Sequence, residues 1–174
     1  TMLVLPSDHI IKNEDAFTYS VEEALSMLNK DRLVTFGIKP TNPHTGYGYI
    51  EVGNIVDNGY KVNTFEEKPT IDLANTYFSS GKYLWNSGMF LFKSSKYLSE
   101  LEKYRPKIFN ACQNSMSNLS EDDIFIRPDK NQFSSSPSES IDYAVMEETK
   151  DAFVAPLEAD WSDIGSWSSF FDNQ

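Results

Sequence analysis

MLVLPSDHIIKNEDAFTYSVEEALSMLNKDRLVTFGI, residues 2–38, opens with a continuous apolar run, Met2-Leu3-Val4-Leu5, closed by Pro6. A run of this kind suits a central strand buried on both faces. Asn13 then stands where a helix cap is wanted, Glu14 and Asp15 occupy the first turn, and Phe17, Val21, Ala24, Leu25 and Leu28 recur at helical spacing. Leu33-Val34-Thr35-Phe36-Gly37-Ile38 reads as a second buried strand. Strand, helix, strand is the unit of an α/β domain, whose ligand sites gather in loops beyond the carboxyl ends of strands.

Further along, Tyr49-Ile50-Glu51-Val52 and Tyr60-Lys61-Val62-Asn63-Thr64-Phe65 flank the turn signal Asp57-Asn58-Gly59, which predicts an antiparallel hairpin. The pattern then predicts a helix over 71–78, an extended segment over 84–92, and helices over 96–114 broken at Pro106. A Ser-rich loop over 134–138, a short helix over 140–146, a strand at Ala152–Pro156 and a final helix from 164 complete the reading. No internal repeat, heptad array or second domain is legible, so one domain spanning 1–174 is expected.

The composition bounds the partners. A formal charge of −11 and a pI near 4.5 oppose binding to nucleic acid or to an acidic membrane surface. A small phosphorylated ligand needs only a local set of donors and stays open. The sequence has no apolar run of membrane-spanning length, and its start carries no signal-peptide pattern. Cys112 is the one cysteine, so a reducing cytoplasm is the expected compartment.

Five segments carry more glycine, carboxylate and amide than packing alone asks for. They are Pro6-Ser7-Asp8-His9, Thr45-Gly46-Tyr47-Gly48-Tyr49-Ile50-Glu51, Phe65-Glu66-Glu67-Lys68-Pro69, Leu84-Trp85-Asn86-Ser87-Gly88-Met89-Phe90 and Asp160-Trp161-Ser162-Asp163-Ile164-Gly165-Ser166-Trp167. Each has an ordinary explanation as well: a cap, a tight turn, a solvated charge pair, a β-bulge, a helix entry. In chemical terms, paired glycines allow backbone to approach a ligand, and an Asn offers both donor and acceptor to a hydroxyl. A Glu-Lys pair can accept from hydroxyls and donate to phosphate.

In order and wording, TGYGYIE, FEEKP, WNSGMF, ESIDYAVME (139–147) and WSDIGSW (161–167) resemble the sugar-1-phosphate nucleotidylyltransferases, and within them the mannose-1-phosphate guanylyltransferase branch. The resemblance implies a Rossmann-like nucleotide-diphospho-sugar transferase fold with a mixed sheet. It implies a reaction in which GMP passes from GTP to mannose-1-phosphate, giving GDP-mannose and pyrophosphate, with Mg²⁺ as cofactor. Residue by residue, Asp8 and Asp163 match the carboxylates that hold the metal. Gly48, Glu67, Asn86 and Gly88 match the sugar pocket, and Lys68 matches the lysine that steadies the sugar's phosphate.

Two departures accompany the resemblance. Glu148 stands where the family's DYAVMEK run has Lys. No segment of the family's opening type, GGxGxRLxPLxxxxPK, occurs among the eight glycines, so the chain is expected to be the C-terminal part of the domain, inactive by itself. The alternatives are a non-catalytic sugar-phosphate-binding or regulatory subunit, and another sugar-1-phosphate nucleotidylyltransferase such as a thymidylyltransferase. An unpaired sheet edge could drive association into a homo-oligomer.

Overall fold

The computed structural model describes residues 1–117, 119–121 and 124–163. In chain order the strands and helices are β1 (Met2–Val4), β2 (Ile10–Ile11), α1 (Glu14–Met27), β3 (Leu33–Ile38), β4 (Tyr49–Val56), β5 (Gly59–Glu66), α2 (Ile71–Ser80), β6 (Tyr83–Phe92), α3 (Ser94–Tyr104), α4 (Pro106–Ser117), β7 (Ser120–Glu121), β8 (Ile126–Arg127), α5 (Lys130–Ser134), β9 (Ala152–Pro156) and β10 (Trp161–Ser162). A 3-10 turn at Leu28–Lys30 and a π-helical turn at Asp142–Met146 complete the description. The helix expected from 164 lies outside the described residues. The chain forms two compact units, Thr1–Ser94 joined by the chain from Lys150 onward, and Ser95–Thr149.

The first unit is built on a six-stranded sheet in the order β1-β6-β3-β9-β5-β4, and β4 also pairs with β6. The pairings therefore close a ring of five strands, β6-β3-β9-β5-β4. β3 and β9 run parallel, and the remaining ring neighbours are antiparallel, so the sheet is mixed as expected. One strand, β6, is shared in succession. Its first part pairs with β4 (Tyr49↔Trp85) and its last part with β1 (Val4↔Phe90), while β3 pairs along both (Ile38↔Trp85, Leu33↔Phe92).

β1 corrects the sequence reading. Among the described residues it pairs with β6 alone, and Met2 and Leu5 are 48 % exposed, where a strand buried on both faces was expected. An apolar run reports the tendency to be buried, and β3, with Val34 and Phe36 at 0 % exposure, is the run that takes the central place.

Helix α1 begins as the sequence predicts, with the Asn13 side-chain oxygen Oδ1 accepting from the Ala16 backbone amide at 3.0 Å. Ala24, Met27 and Leu28 pack into the main core with Val34, Phe36, Met89 and Leu91, and Phe17 and Val21 lie against them. Leu25 falls at the edge of that stripe and is 44 % exposed; Met27 takes the place expected for it. In the hairpin, Asp57 takes the left-handed conformation at φ 53°. Gly59 serves close packing instead, since a Cβ there would meet the Val154 carbonyl oxygen at 2.5 Å and Met27 Cε at 2.8 Å.

In the second unit, α3 and α4 break at Pro106 as predicted. Arg105 at the break donates from Nε to both Glu139 oxygens at 2.8 Å and from a terminal nitrogen to the Tyr143 carbonyl at 3.0 Å. Glu148, the departure from the family pattern, is ion-paired with Arg105 at 3.4 Å. Helix α5, capped by Asp129 onto the Gln132 amide at 2.8 Å, ends at Ser134, and the Ser-rich loop follows it as expected. No helix among the described residues is long and apolar enough to cross a membrane.

Candidate functional site

β6 changes partners between Trp85 and Phe90, and the site is built at that break. Gly88 sits there at φ 71°, in the left-handed region that glycine tolerates without strain. Pro6 Cγ and His9 Cε1 lie 3.7 and 3.9 Å from the position of a Cβ at Gly88, so the loop carrying Asp8 runs over this kink. On the other side, the Asn86 amide donates to the Gly48 carbonyl at 2.8 Å. A Cβ at Gly48 would fall well inside contact distance of Glu67 Oε2 and 3.2 Å from Asn86 Cβ. Gly48, Glu67, Asn86 and Gly88 are thus brought together, and the glycine at 48 is what lets the Glu67 carboxylate lie against the backbone.

Asn86 is oriented from below. Its side-chain oxygen accepts from the Thr35 hydroxyl at 2.9 Å and from the Gly88 amide at 3.2 Å, and both residues that frame it are buried or half-buried. Since the amide of Gly88 can only donate, the side-chain oxygen is the atom that faces Thr35 and Gly88. Thr35, wholly buried in β3, is a site residue the sequence reading passed over. Its signal was present: a hydroxyl in the middle of a strand buried on both faces has to find a partner.

The two consecutive glutamates divide by strand alternation. Glu66 accepts a short hydrogen bond from the Tyr77 hydroxyl on one side, and Glu67 turns to Gly48 on the other. Lys68 follows in a left-handed conformation, φ 50°, uncommon for a lysine, with its ammonium 3.6 Å from Glu67 Oε1. The Glu67 side chain is 11 % exposed and that of Lys68 62 %, so the carboxylate is held inside and the ammonium stands toward solvent.

Asp8 and Asp163 flank a ladder too short to read from sequence. β2 and β10 pair Ser162 with Ile10 and Trp161 with Ile11. Continued one step, that register sets Asp163 level with His9, next to Asp8. Trp161 Nε1 donates to His9 Nδ1 at 3.1 Å and fastens the ladder's end. Asp163 is half-buried and accepts from the Tyr47 hydroxyl at 2.9 Å; Asp8 is exposed. Burial, and then the hydrogen bond and charge of Asp163, push the Tyr47 hydroxyl well above the usual tyrosine range, so it is a protonated donor at any ordinary pH.

Tyr47 itself is wedged among rings. It stacks on His44 at 4.3 Å between centroids and meets Trp85 at 4.9 Å and Trp161 at 5.5 Å. Nothing in the sequence joined Tyr47 to Asp163 across 116 positions. Hydrogen bonds, ring contacts and close backbone approaches link the segments around Asp8, Tyr47, Glu67, Asn86 and Asp163 to one another, and ESIDYAVME belongs to the second unit.

The chemistry of the two carboxylates suits a divalent cation. Both offer hard oxygen donors, one exposed and one half-buried and hydrogen-bonded, at the end of one ladder. Mg²⁺ asks for one or two protein carboxylates and keeps its remaining waters, so this donor set fits it. No cluster of three or more His, Cys, Asp or Glu side chains of metal-binding geometry occurs among the described residues.

The profile of the Nucleotidyl transferase family matches residues 1–174. Mannose-1-phosphate guanylyltransferase RfbM of Salmonella typhimurium is 54 % identical over 98 % of this chain and 36 % of its own length. The mannose-1-phosphate guanylyltransferase of Escherichia coli K12 is 50 % identical, again over 98 % of this chain and 37 % of its length. Among solved structures, a mannose-6-phosphate isomerase from Helicobacter pylori superposes with a TM-score of 0.84 and 34 % identity, over 92 % of this chain and 62 % of that one. The chain thus spans little more than a third of the curated relatives it matches.

Proposed function

The chain belongs to the nucleotidyl transferase family, and from that premise we propose that it is the sugar-phosphate-binding part of a mannose-1-phosphate guanylyltransferase. The reaction transfers GMP from GTP to mannose-1-phosphate: a sugar-phosphate oxygen forms a bond to the α-phosphorus, the bond from that phosphorus to the β-phosphate oxygen breaks, and pyrophosphate leaves. The observation that carries the reading is the Glu67 carboxylate lying against the Gly48 backbone beside Asn86.

That arrangement is suited to a polyol. Glu67 accepts from sugar hydroxyls, the Asn86 NH₂ donates to one, and the Gly48 backbone allows the ring to come close. Lys68, at the rim, meets the sugar's phosphate with its ammonium. Asp8 and Asp163 would hold Mg²⁺, which when bound offsets the repulsion between the two phosphate groups. Tyr47 keeps one Asp163 oxygen hydrogen-bonded. The lone Cys112 of this chain suits a cytoplasmic setting.

The test uses the protein that carries this chain, given mannose-1-phosphate, GTP and Mg²⁺, with GDP-mannose read by chromatography. GDP-mannose should form, and Asp163→Ala should lower turnover by roughly 100-fold or more. Absence of GDP-mannose overturns the substrate assignment. Near wild-type turnover of Asp163→Ala overturns the metal assignment alone.

A further inference from the structure

Tyr47 and Gly48 are consecutive, and they serve different ends of the pocket. Gly48 faces Glu67 and Asn86, where the sugar is assigned, while the Tyr47 hydroxyl donates to Asp163, where the metal is assigned. The ring cannot easily swing away. His44 stacks on one face at 23° between planes, and Trp85 and Trp161 close on it at 4.9 and 5.5 Å. A hydroxyl held this rigidly fixes the plane of the carboxylate it binds, because rotation of that carboxylate would break a charge-assisted hydrogen bond.

We infer that Tyr47 is a positioning residue for Asp163, holding its carboxylate in the orientation that binds a divalent cation, and that it ties the sugar loop to the metal end of the pocket. The inference rests on the function proposed above and adds a residue that the family resemblance did not supply. A carboxylate that ligates a metal works best when a neighbouring group is hydrogen-bonded to it, and loss of such a partner typically weakens metal affinity 10- to 100-fold. Because Tyr47 touches neither sugar nor metal by this account, its loss should leave sugar-phosphate binding in the absence of metal unchanged.

A purely structural tyrosine would behave differently. Its replacement would lower stability and weaken every ligand together. Tyr47→Phe keeps the ring and its three aromatic neighbours and removes the hydroxyl alone, so it separates the two roles.

The experiment titrates Mn²⁺ into the full protein that carries this chain with mannose-1-phosphate present throughout, following free Mn²⁺ by electron paramagnetic resonance. Wild type, Tyr47→Phe and Asp163→Ala are compared, with metal-free mannose-1-phosphate affinity and melting temperature as companion readouts. The expected result is Mn²⁺ binding that Asp163→Ala abolishes and Tyr47→Phe weakens about 10-fold, with metal-free sugar-phosphate affinity and melting held near wild type. Equal Mn²⁺ affinity in Tyr47→Phe and wild type overturns the inference and leaves the metal site standing. A parallel fall in metal-free sugar affinity and melting overturns it in favour of a structural role. Wild-type binding that Asp163→Ala does not alter overturns the metal assignment, and the inference with it.

Discussion

Replacing Gly48 by Ala should cost ligand affinity and little else. The φ of Gly48 lies outside the left-handed region, so Ala can adopt it without strain. The added methyl carbon, however, would fall on Glu67 Oε2 and 3.2 Å from Asn86 Cβ. Carbon atoms prefer about 3.5–4.0 Å, so the Glu67 carboxylate must withdraw by roughly 1 Å. Crowding of this kind costs about 1–2 kcal/mol, and the reduced freedom of the unfolded chain returns about 0.4–1 kcal/mol. The net change should be under about 2 kcal/mol, a fall in melting temperature of no more than roughly 8 °C for a chain of this size.

Binding is another matter. Each charge-assisted hydrogen bond that Glu67 gives up to a sugar hydroxyl is worth about 1.5–3 kcal/mol, which is roughly 10- to 100-fold in affinity. Isothermal titration of mannose-1-phosphate into wild type, Gly48→Ala, Glu67→Gln and the double variant reads this directly. Since both changes act on one carboxylate, their effects should overlap and not add. Wild-type affinity in Gly48→Ala, or full additivity in the double variant, would refute the reasoning.

Two other glycines separate packing from conformation. Gly59→Ala meets a backbone carbonyl at 2.5 Å and should destabilise by about 2–3 kcal/mol, while Gly81→Ala, at φ 67° with nothing within 4 Å, should cost about 1–2 kcal/mol. Urea denaturation checks the order, and the reverse order would sink it. The hydrogen bond to Glu66, with burial, lifts Tyr77 from 10.0 to about 12. A pKa raised by folding contributes stability that is whole below pH 10 and lost as pH rises through about 12, so Tyr77→Phe should flatten the alkaline fall in stability between those values. Unchanged pH dependence in that variant would contradict the assignment.

The sequence made some of this legible and not the rest, for physical reasons. β3 and β9 begin and end where their apolar runs begin and end, because strands buried on both faces carry their boundary in composition. Asn13 announced α1 by its own chemistry. β1 shows the limit: a run says what could be buried, and only the arrangement of neighbours decides what is. The two-residue ladder of β2 and β10 has no periodicity to detect, yet it sets Trp161 and Ser162 beside Ile11 and Ile10, between Asp163 and Asp8 in the chain. Glu67, Asn86 and Gly48 were found as residues. Thr35 and Tyr47, which orient Asn86 and Asp163 from 51 and 116 positions away, act through distances that no local pattern encodes.

The closed ring of β6, β3, β9, β5 and β4 has a consequence for how the protein breathes. A strand at the border of an open sheet can peel away alone and give its amides to solvent deuterium while its neighbours stay paired. In a ring, every strand is gripped from both sides, and releasing one requires two ladders to part together. Amide protons of these strands therefore exchange as a single slow class, and those of β1, held from one side, exchange ahead of them. The pocket hangs from the slow class on one flank and from the β1 loop on the other, so its two walls keep different clocks.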